Sequence, residues 1–417
     1  MIKKRAPLYV LLLLIFAGEA VFILPFVLAR VFRPTVLETF QLDNIQLGLC
    51  FSVYGVVAMV SYLLGGPMAD KYAPRKLIAI ALWLTALGGV FYATFPSVPA
   101  LQILYAYWGF TTIFLFWAPM IKATRLWGGS KAQAKAFGFL DGGRGLVGAL
   151  FGSIGVLVFS LFIESDKGIV QEINAKDAFR MVILVSSALV AFIGLLVWLL
   201  MKEGSASDTA LNTEQISMNQ IREVIQLPSV WLLMIIILCA YVGYKVTDVF
   251  SLYTSDVMHY NSIDSAKVGT GLLYMRPIVG GIIGVLADRS QITRVLCLSF
   301  AVAIIGAVLF AAGIIVGSNT LLFIISTALV AAGVYGARSL YFAVMEQGRI
   351  PLNLTGTAVG LVSLIGYTPD VFAGPAIGYL LESSPGIAGH QHTFIMLAVF
   401  SFGGLVAGCF YHLKYRK

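Results

Sequence analysis

Charge is scarce in this sequence. Asp, Glu, Lys and Arg make up 12% of its 417 residues, against about 25% in a soluble domain. With 59% of the residues hydrophobic, a water-soluble globule is excluded, because a compact fold of this length cannot hide so much apolar surface. Cysteine is sparse too. Cys50, Cys239, Cys297 and Cys409 are scattered through apolar stretches with no CxxC and no Cys/His pairing, which excludes a disulfide framework and a zinc site. His390 and His392 read as a solvated loop pair, so no metal is expected. Catalytic signatures are missing as well: there is no P-loop, no HExxH and no GxSxG. No cofactor is expected and an enzyme finds no support. The longest polar stretch, Lys202–Pro228, is too short to be the soluble domain of a sensor.

Long apolar runs are abundant instead, and mean hydropathy is +0.90. Twelve segments approach or exceed the roughly 20 residues that cross a bilayer as helix. They are Leu8–Val31, Ile45–Gly66, Leu77–Thr94, Ala100–Ile121, Ala136–Phe162, Phe179–Met201, Val230–Tyr253, Ser265–Ala287, Val295–Val316, Thr320–Met345, Leu354–Leu381 and Thr393–Tyr411. An all-α membrane protein with twelve transmembrane helices follows. Lys3-Lys4-Arg5 before an apolar run resembles a signal peptide, but the run continues to Val31, so it reads as a retained first helix.

The formal charge of +8 is an orientation signal rather than a mark of nucleic acid binding. On one face the loops and termini hold 18 basic residues, Lys71, Arg75, Lys122 and Lys414 among them; the other face holds five, Arg33, Lys167, Lys176, Arg180 and Lys267. By the positive-inside rule both termini are cytoplasmic, in a plasma (bacterial inner) membrane. Residues 1–201 and 229–417 then form two six-helix halves, joined by a cytoplasmic linker at 202–228. Ile216, Ile221, Val224 and Ile225 in that linker suggest a short interfacial helix.

One motif occurs twice. Gly66-Pro-Met-Ala-Asp70-Lys71 follows the second segment, with Arg75 beyond it, and Gly284-Val-Leu-Ala-Asp288-Arg289 follows the eighth. Glycine to glycine (284 − 66) and aspartate to aspartate (288 − 70), the offset is 218. The glycines allow close approach of a neighbouring helix, and the aspartates are placed to meet a helix amino terminus or a nearby cation. This pattern resembles the signature loop of the major facilitator superfamily, over essentially the whole chain. Phe137-Gly-Phe-Leu-Asp-Gly-Gly-Arg144-Gly and Gly366-Tyr-Thr-Pro-Asp370 look like its YihN-like subgroup. The first copy departs from the usual pattern at Ala73-Pro74, where Gly-Arg is common. The resemblance implies two six-helix bundles that alternate access to a central cavity. It also implies that Gly66, Asp70, Arg75, Gly284, Asp288 and Arg289 gate the conformational change.

Ionisable residues inside the spans are the informative ones, since each costs at least about 2.5–3.5 kcal/mol at a helix centre unless partnered or wet. Glu19 lies in the first span, Lys245 and Asp248 in the seventh, Arg276 in the eighth, Arg338 in the tenth and Asp370 in the eleventh. Asp141 and Arg144 lie in the fifth. Lys245 with Asp248 and Asp141 with Arg144 stand three apart, close enough to pair on one face. Glu19 and Asp370 have no cation near them in sequence, which suits a protonated or proton-carrying state. Trp108, Trp117, Tyr241, Tyr244, Tyr274, Tyr335 and Tyr367 offer stacking surface and hydroxyls. Gly142, Gly143, Gly145, Gly148 and Gly152 read as a seam for tight helix contact without chemistry of its own. In the family's arrangement the charged spans line or flank the cavity.

The reading is a secondary transporter, a proton symporter of a small organic anion, acting as a monomer. Arg276, Arg338, Arg144 and Lys245 are the expected anion contacts, with Tyr241, Tyr244, Tyr274 and Tyr367 beside them. Glu19, Asp248 and Asp370 are the expected proton carriers. The alternative is efflux of amphipathic or cationic compounds, or a non-transporting membrane sensor.

Overall fold

The computed structural model describes residues 7–128, 133–163, 172–201, 218–317, 319–345, 347–348 and 355–415. The first part of the expected linker, 202–217, lies outside the described residues. Among the described residues every regular element is helical, as a bilayer demands of a chain that must satisfy its backbone polar groups internally. Eleven helical segments among the described residues are long and apolar enough to cross a membrane: Leu8–Val31, Asn44–Tyr62, Pro74–Tyr92, Val98–Thr124, Phe139–Phe162, Ala175–Leu200, Pro228–Asp256, Ser262–Ala287, Ile292–Ala311, Thr320–Leu340 and Ile387–Tyr415. The eleventh expected segment is two shorter helices, Thr355–Gly366 and Pro369–Ser383. Pro369 cannot donate into a preceding turn, so it restarts the helix rather than continuing it. Asp370 thereby falls in a first turn, at the partly positive end of a helix.

By packing, the chain divides into two compact units, Met1–Thr209 with Tyr260–Pro277, and Ala210–His259 with Ile278–Lys417. The first unit is held by large buried aromatics. Phe40 stacks on Tyr92 at 4.5 Å, and Trp108 meets Tyr92 and Tyr105 at 5.4 and 5.2 Å between ring centres. Trp108 is fully buried and donates its indole N–H to the Thr85 carbonyl, so it serves packing. Two spans of this unit depart from α-helical winding: Ile23–Val27 in the first and Phe110–Trp117 in the fourth are π-helical. A further helix, Arg33–Phe40, lies between the first and second spans. Pro34 starts it, Gln41 ends it in a left-handed conformation, and buried Arg33 donates to Asn44 Oδ1 at 2.8 and 3.1 Å.

In the second unit, Phe250, Tyr253, Phe310, Phe323 and Phe394 form one aromatic cluster. His390 is buried against it, edge-on to Tyr253, with Nε2 3.0 Å from Asp256 Oδ2. The solvated histidine pair expected from sequence is thus wrong for His390, which lies in the first turn of Ile387–Tyr415; His392 faces outward. A short helix forms at Met218–Ile225, and Trp231 caps its last carbonyl by donating to Ile225 O at 2.8 Å. Cys297 and Cys409, far apart in sequence, bring their sulfurs to 3.8 Å without a bond.

The two-fold repeat reaches further than the Gly–x–x–Ala–Asp motif. Asp43 Oδ1 accepts from the Gln46 N–H at the start of the second span, and Asn261 Oδ1 accepts from the Asp264 N–H at the start of the eighth. These caps repeat at the same offset of 218 (261 − 43, 264 − 46), and each satisfies a backbone donor that the first turn leaves over.

Candidate functional site

Two charged clusters form, one in each unit. In the first unit Glu19, only 3% exposed, stands between two arginines. Arg144 Nε lies 3.3 Å from Glu19 Oε2, and Arg276 Nη1 lies 3.8 Å from Glu19 Oε1. Arg276 also donates through Nη2 to Asp141 Oδ1 at 3.2 Å, and Asp141 itself is well exposed. The carboxylate that lacks a cation nearby in sequence therefore has two, one from the fifth span and one from the eighth.

Glycines make the room for this cluster. A Cβ on Gly148 would sit 2.9 Å from Glu19 Oε1, and one on Gly145 would sit 3.3 Å from the Arg276 stem. One on Gly18 would meet the Arg144 stem at 3.1 Å. The seam expected to carry no chemistry is what admits the charges, while at Gly142 nothing lies within 4 Å. Tyr274 donates or accepts a 3.0 Å bond with Ser153 Oγ.

Arg144 is anchored unusually. Its guanidinium carbon lies 5.4 Å from the Phe22 ring centre and 5.5 Å from that of Trp117. Nε faces Glu19 but is not aligned as a hydrogen bond, and no described residue accepts from its two Nη groups. The residue is nonetheless only 9% exposed. Phe22 carries no sequence signal beyond hydrophobicity and was invisible as a site residue; only the proline at 25, in the adjacent π-helical stretch, marks the spot.

In the second unit Lys245 Nζ lies 2.5 Å from Asp370 Oδ1. Tyr241 donates to both carboxylate oxygens, at 3.1 and 3.2 Å. Around them Tyr241 packs edge-on to Tyr367 at 4.9 Å, Tyr367 shares a 3.3 Å bond with the Tyr341 hydroxyl, and Arg338 lies over the Tyr244 ring at 3.8 Å. Tyr335 is buried beside Tyr244. Asp248 is buried too, in the 3-10 turn Thr247–Val249 that interrupts the seventh span just past Lys245. Asp370 thus also has its cation, from a span 125 residues earlier (370 − 245).

The clusters are counterparts with their charges exchanged. Glu19 to Lys245 and Arg144 to Asp370 are both steps of 226 residues (245 − 19, 370 − 144). The first and fifth spans pair acid with base; the seventh and eleventh pair base with acid at the corresponding positions.

The repeated motif is resolved in part. The side chains of Asp70 and Asp288 and the surroundings of Gly66 lie outside the described residues. Gly284 has open space where a Cβ would stand, which corrects the close approach expected there; in the first copy the tight contact is at Gly65, where an added Cβ would sit 3.1 Å from the Phe114 carbonyl oxygen. Arg75 lies over the Trp198 ring at 5.1 Å, and Arg289 is exposed at the end of Ser262–Arg289. Lys122 donates to the Ala69 carbonyl at 2.7 Å, closing the end of Asn44–Lys71.

Comparison with known proteins agrees with this architecture. The family model described as Major Facilitator Superfamily matches residues 8–374. The inner membrane protein YqcE of Escherichia coli (strain K12) is 25% identical over 390 residues, 91% of this chain and 89% of YqcE. The inner membrane protein YihN of the same organism is 28% identical over 413 residues, 97% of this chain and 94% of YihN. Among solved structures, a bacterial homolog of the human lysosomal transporter Spinster superposes with a TM-score of 0.73 at 17% identity, covering 99% of this chain and 98% of that one. The nucleoside transporter NupG superposes with a TM-score of 0.72 at 14% identity, covering 98% and 99%. At such identities the structural likeness is one of fold.

Proposed function

The chain belongs to the major facilitator superfamily, and from that premise we propose that it is a proton-coupled secondary transporter for a small organic anion. The carrying observation is the buried excess of positive charge around Glu19: two guanidiniums, Arg144 and Arg276, face one buried carboxylate. Asp141 offsets Arg276 only from an exposed position, where water and salt screen it. A bound anion completes that balance, and a cation worsens it. This favours anion transport over efflux of cationic compounds. Within the second unit Arg338 and Lys245, set among Tyr241, Tyr244 and Tyr367, are the further candidate anion contacts, and within the first unit Tyr274 offers a hydroxyl.

Protons enter through carboxylates that can exchange partners. Asp370, held by Lys245 and Tyr241, is the leading carrier, with Glu19 and Asp248 as the other two. Neutralising a buried carboxylate as substrate arrives removes a charge that is costly to move through a low-dielectric interior, so the loaded protein changes conformation more readily than the half-loaded one. Asp70, Asp288 and the basic residues beside them bias that equilibrium. The halves are 1–201 and 229–417, the linker is 202–228, and both termini face the cytoplasm.

Thermal stabilisation of the purified protein tests the substrate class, because a ligand that binds only the folded state raises the melting temperature. A panel of monocarboxylates, phosphate monoesters, neutral sugars and quaternary amines is expected to yield stabilisers among the anions. Arg144→Gln and Arg276→Gln should abolish that stabilisation without lowering the unliganded melting temperature by a comparable amount. Stabilisation by the quaternary amines alone contradicts the reading.

A further inference from the structure

Arg144 is built like half of a binding site. Its stem passes Gly18, where any Cβ would stand 3.1 Å from the Arg144 Cδ. Its Nε is turned to Glu19, and two rings approach its planar group. Every part of the side chain is fixed except the two terminal amino groups, to which no described residue offers an acceptor. With the residue 9% exposed and its buried Nε making no aligned hydrogen bond, the guanidinium is poorly compensated by its surroundings, and an acceptor brought by a ligand to the amino end offsets that cost. Two parallel N–H groups match the two oxygens of a carboxylate.

The rings carry a second, independent sign. Phe22 stands immediately before the π-helical stretch Ile23–Val27, and Trp117 is the last residue of the π-helical stretch Phe110–Trp117. Such segments are rare and concentrate at functional sites, where they re-aim a side chain at the cost of regular winding. Here two of them re-aim the two rings that meet one arginine. Both rings are only partly buried, and their centres are 6.2 Å apart at 66°. Phe26 continues the aromatic wall beyond Phe22 at 6.4 Å, and Tyr62 meets Trp117 edge-on at 6.3 Å.

We infer that Arg144, Phe22 and Trp117 form a clamp for a monocarboxylate carried on a flat unsaturated ring, the carboxylate taken by the Arg144 amino groups and the ring by the aromatic wall. The inference rests on the anion reading above and narrows it. With the exposed Asp141 screened by water, a single negative charge matches the buried excess that Glu19 leaves on Arg144 and Arg276, and a dianion exceeds it. Aromatic walls favour a planar π-face over a puckered alkyl ring by the geometry of their quadrupoles.

Titration calorimetry on the purified, full-length protein with four small probes tests it. Benzoate should bind about tenfold more tightly than cyclohexanecarboxylate, the upper range of one aromatic contact. Benzamide, without the charge, and phenyl phosphate, with two, should bind more weakly than benzoate. Trp117→Leu and Phe22→Leu should each shrink the benzoate preference toward parity, and Arg144→Lys, which keeps charge but loses the fork, should weaken both acids at least tenfold. Melting temperatures without ligand check the fold of each variant, and the wild-type comparison stands even if one variant fails to fold. Equal affinity for the two ring acids, or a preference that persists in both ring variants, overturns the clamp while leaving anion transport intact. Failure of every anion to bind the wild type, those of the thermal-stabilisation panel included, overturns the anion reading itself.

Discussion

At the scale of the residue, the types of the charged groups were legible and their partners were not. Hydropathy exposes Glu19, Lys245 and Asp370 as costly intrusions in apolar runs, but each buried pair joins positions 125 apart (144 − 19, 370 − 245), beyond any local rule. Removing one partner strands the other. Lys245→Ala should destabilise the protein by about 3–5 kcal/mol, the usual loss when a buried pair is broken, and the exchanged pair Lys245→Asp with Asp370→Lys should recover most of it; denaturation of the purified variants reads this out. A double exchange no more stable than Lys245→Ala would show that the pair contributes little. Gly148→Ala should weaken anion binding severalfold by displacing the Glu19 carboxylate, since the new methyl stands 2.9 Å from its oxygen, whereas Gly142→Ala has nothing within 4 Å to disturb. Equal effects of the two in a binding assay would contradict that contrast.

At the scale of the element, the spans could be read because lipid enforces long apolar helices. Their interruptions could not. The π-helical stretches at Ile23–Val27 and Phe110–Trp117 and the break after Gly366 arise from how neighbouring helices pack, and only Pro25 and Pro369 hint at two of the three. The helix at Arg33–Phe40 is not legible in the sequence because its mixed composition carries no apolar period. Helix adjacency is testable through the cysteines. Cys297 and Cys409 bring the ninth and twelfth spans together at 3.8 Å between sulfurs. Mild oxidation should therefore form a bond between them, 2.0 Å long after a small shift of the side chains. Peptide mass mapping without reductant should recover residues 297 and 409 as one linked species, and a cross-link of either to Cys50 instead would contradict the packing.

At the scale of the whole molecule, the repeat is what the sequence displayed most openly and what the structure extends. The Gly–x–x–Ala–Asp motif recurs at 218 residues, the helix caps Asp43 and Asn261 keep that offset, and the ion pairs recur at 226 with the charges exchanged. The exchange was hidden because it appears only once the partners are known. The proposed orientation rests on loop charge, and it requires that Ser207→Cys on a cysteine-free background react with an impermeant maleimide only after the cells are opened; labelling of intact cells would reverse the topology. Asp70→Asn should slow transport while leaving equilibrium affinity within a few-fold, and loss of binding with the fold intact would remove Asp70 from a gating role. The most direct test of proton-coupled anion transport is uptake of a stabilising anion into proteoliposomes that are acidic outside and alkaline within. The wild type should concentrate the anion above the external level and lose that excess on addition of a protonophore, and Asp370→Asn should exchange labelled for unlabelled anion without concentrating it. Uptake that merely equilibrates in the wild type, or accumulation that survives both the protonophore and the Asp370→Asn substitution, would contradict coupling to protons.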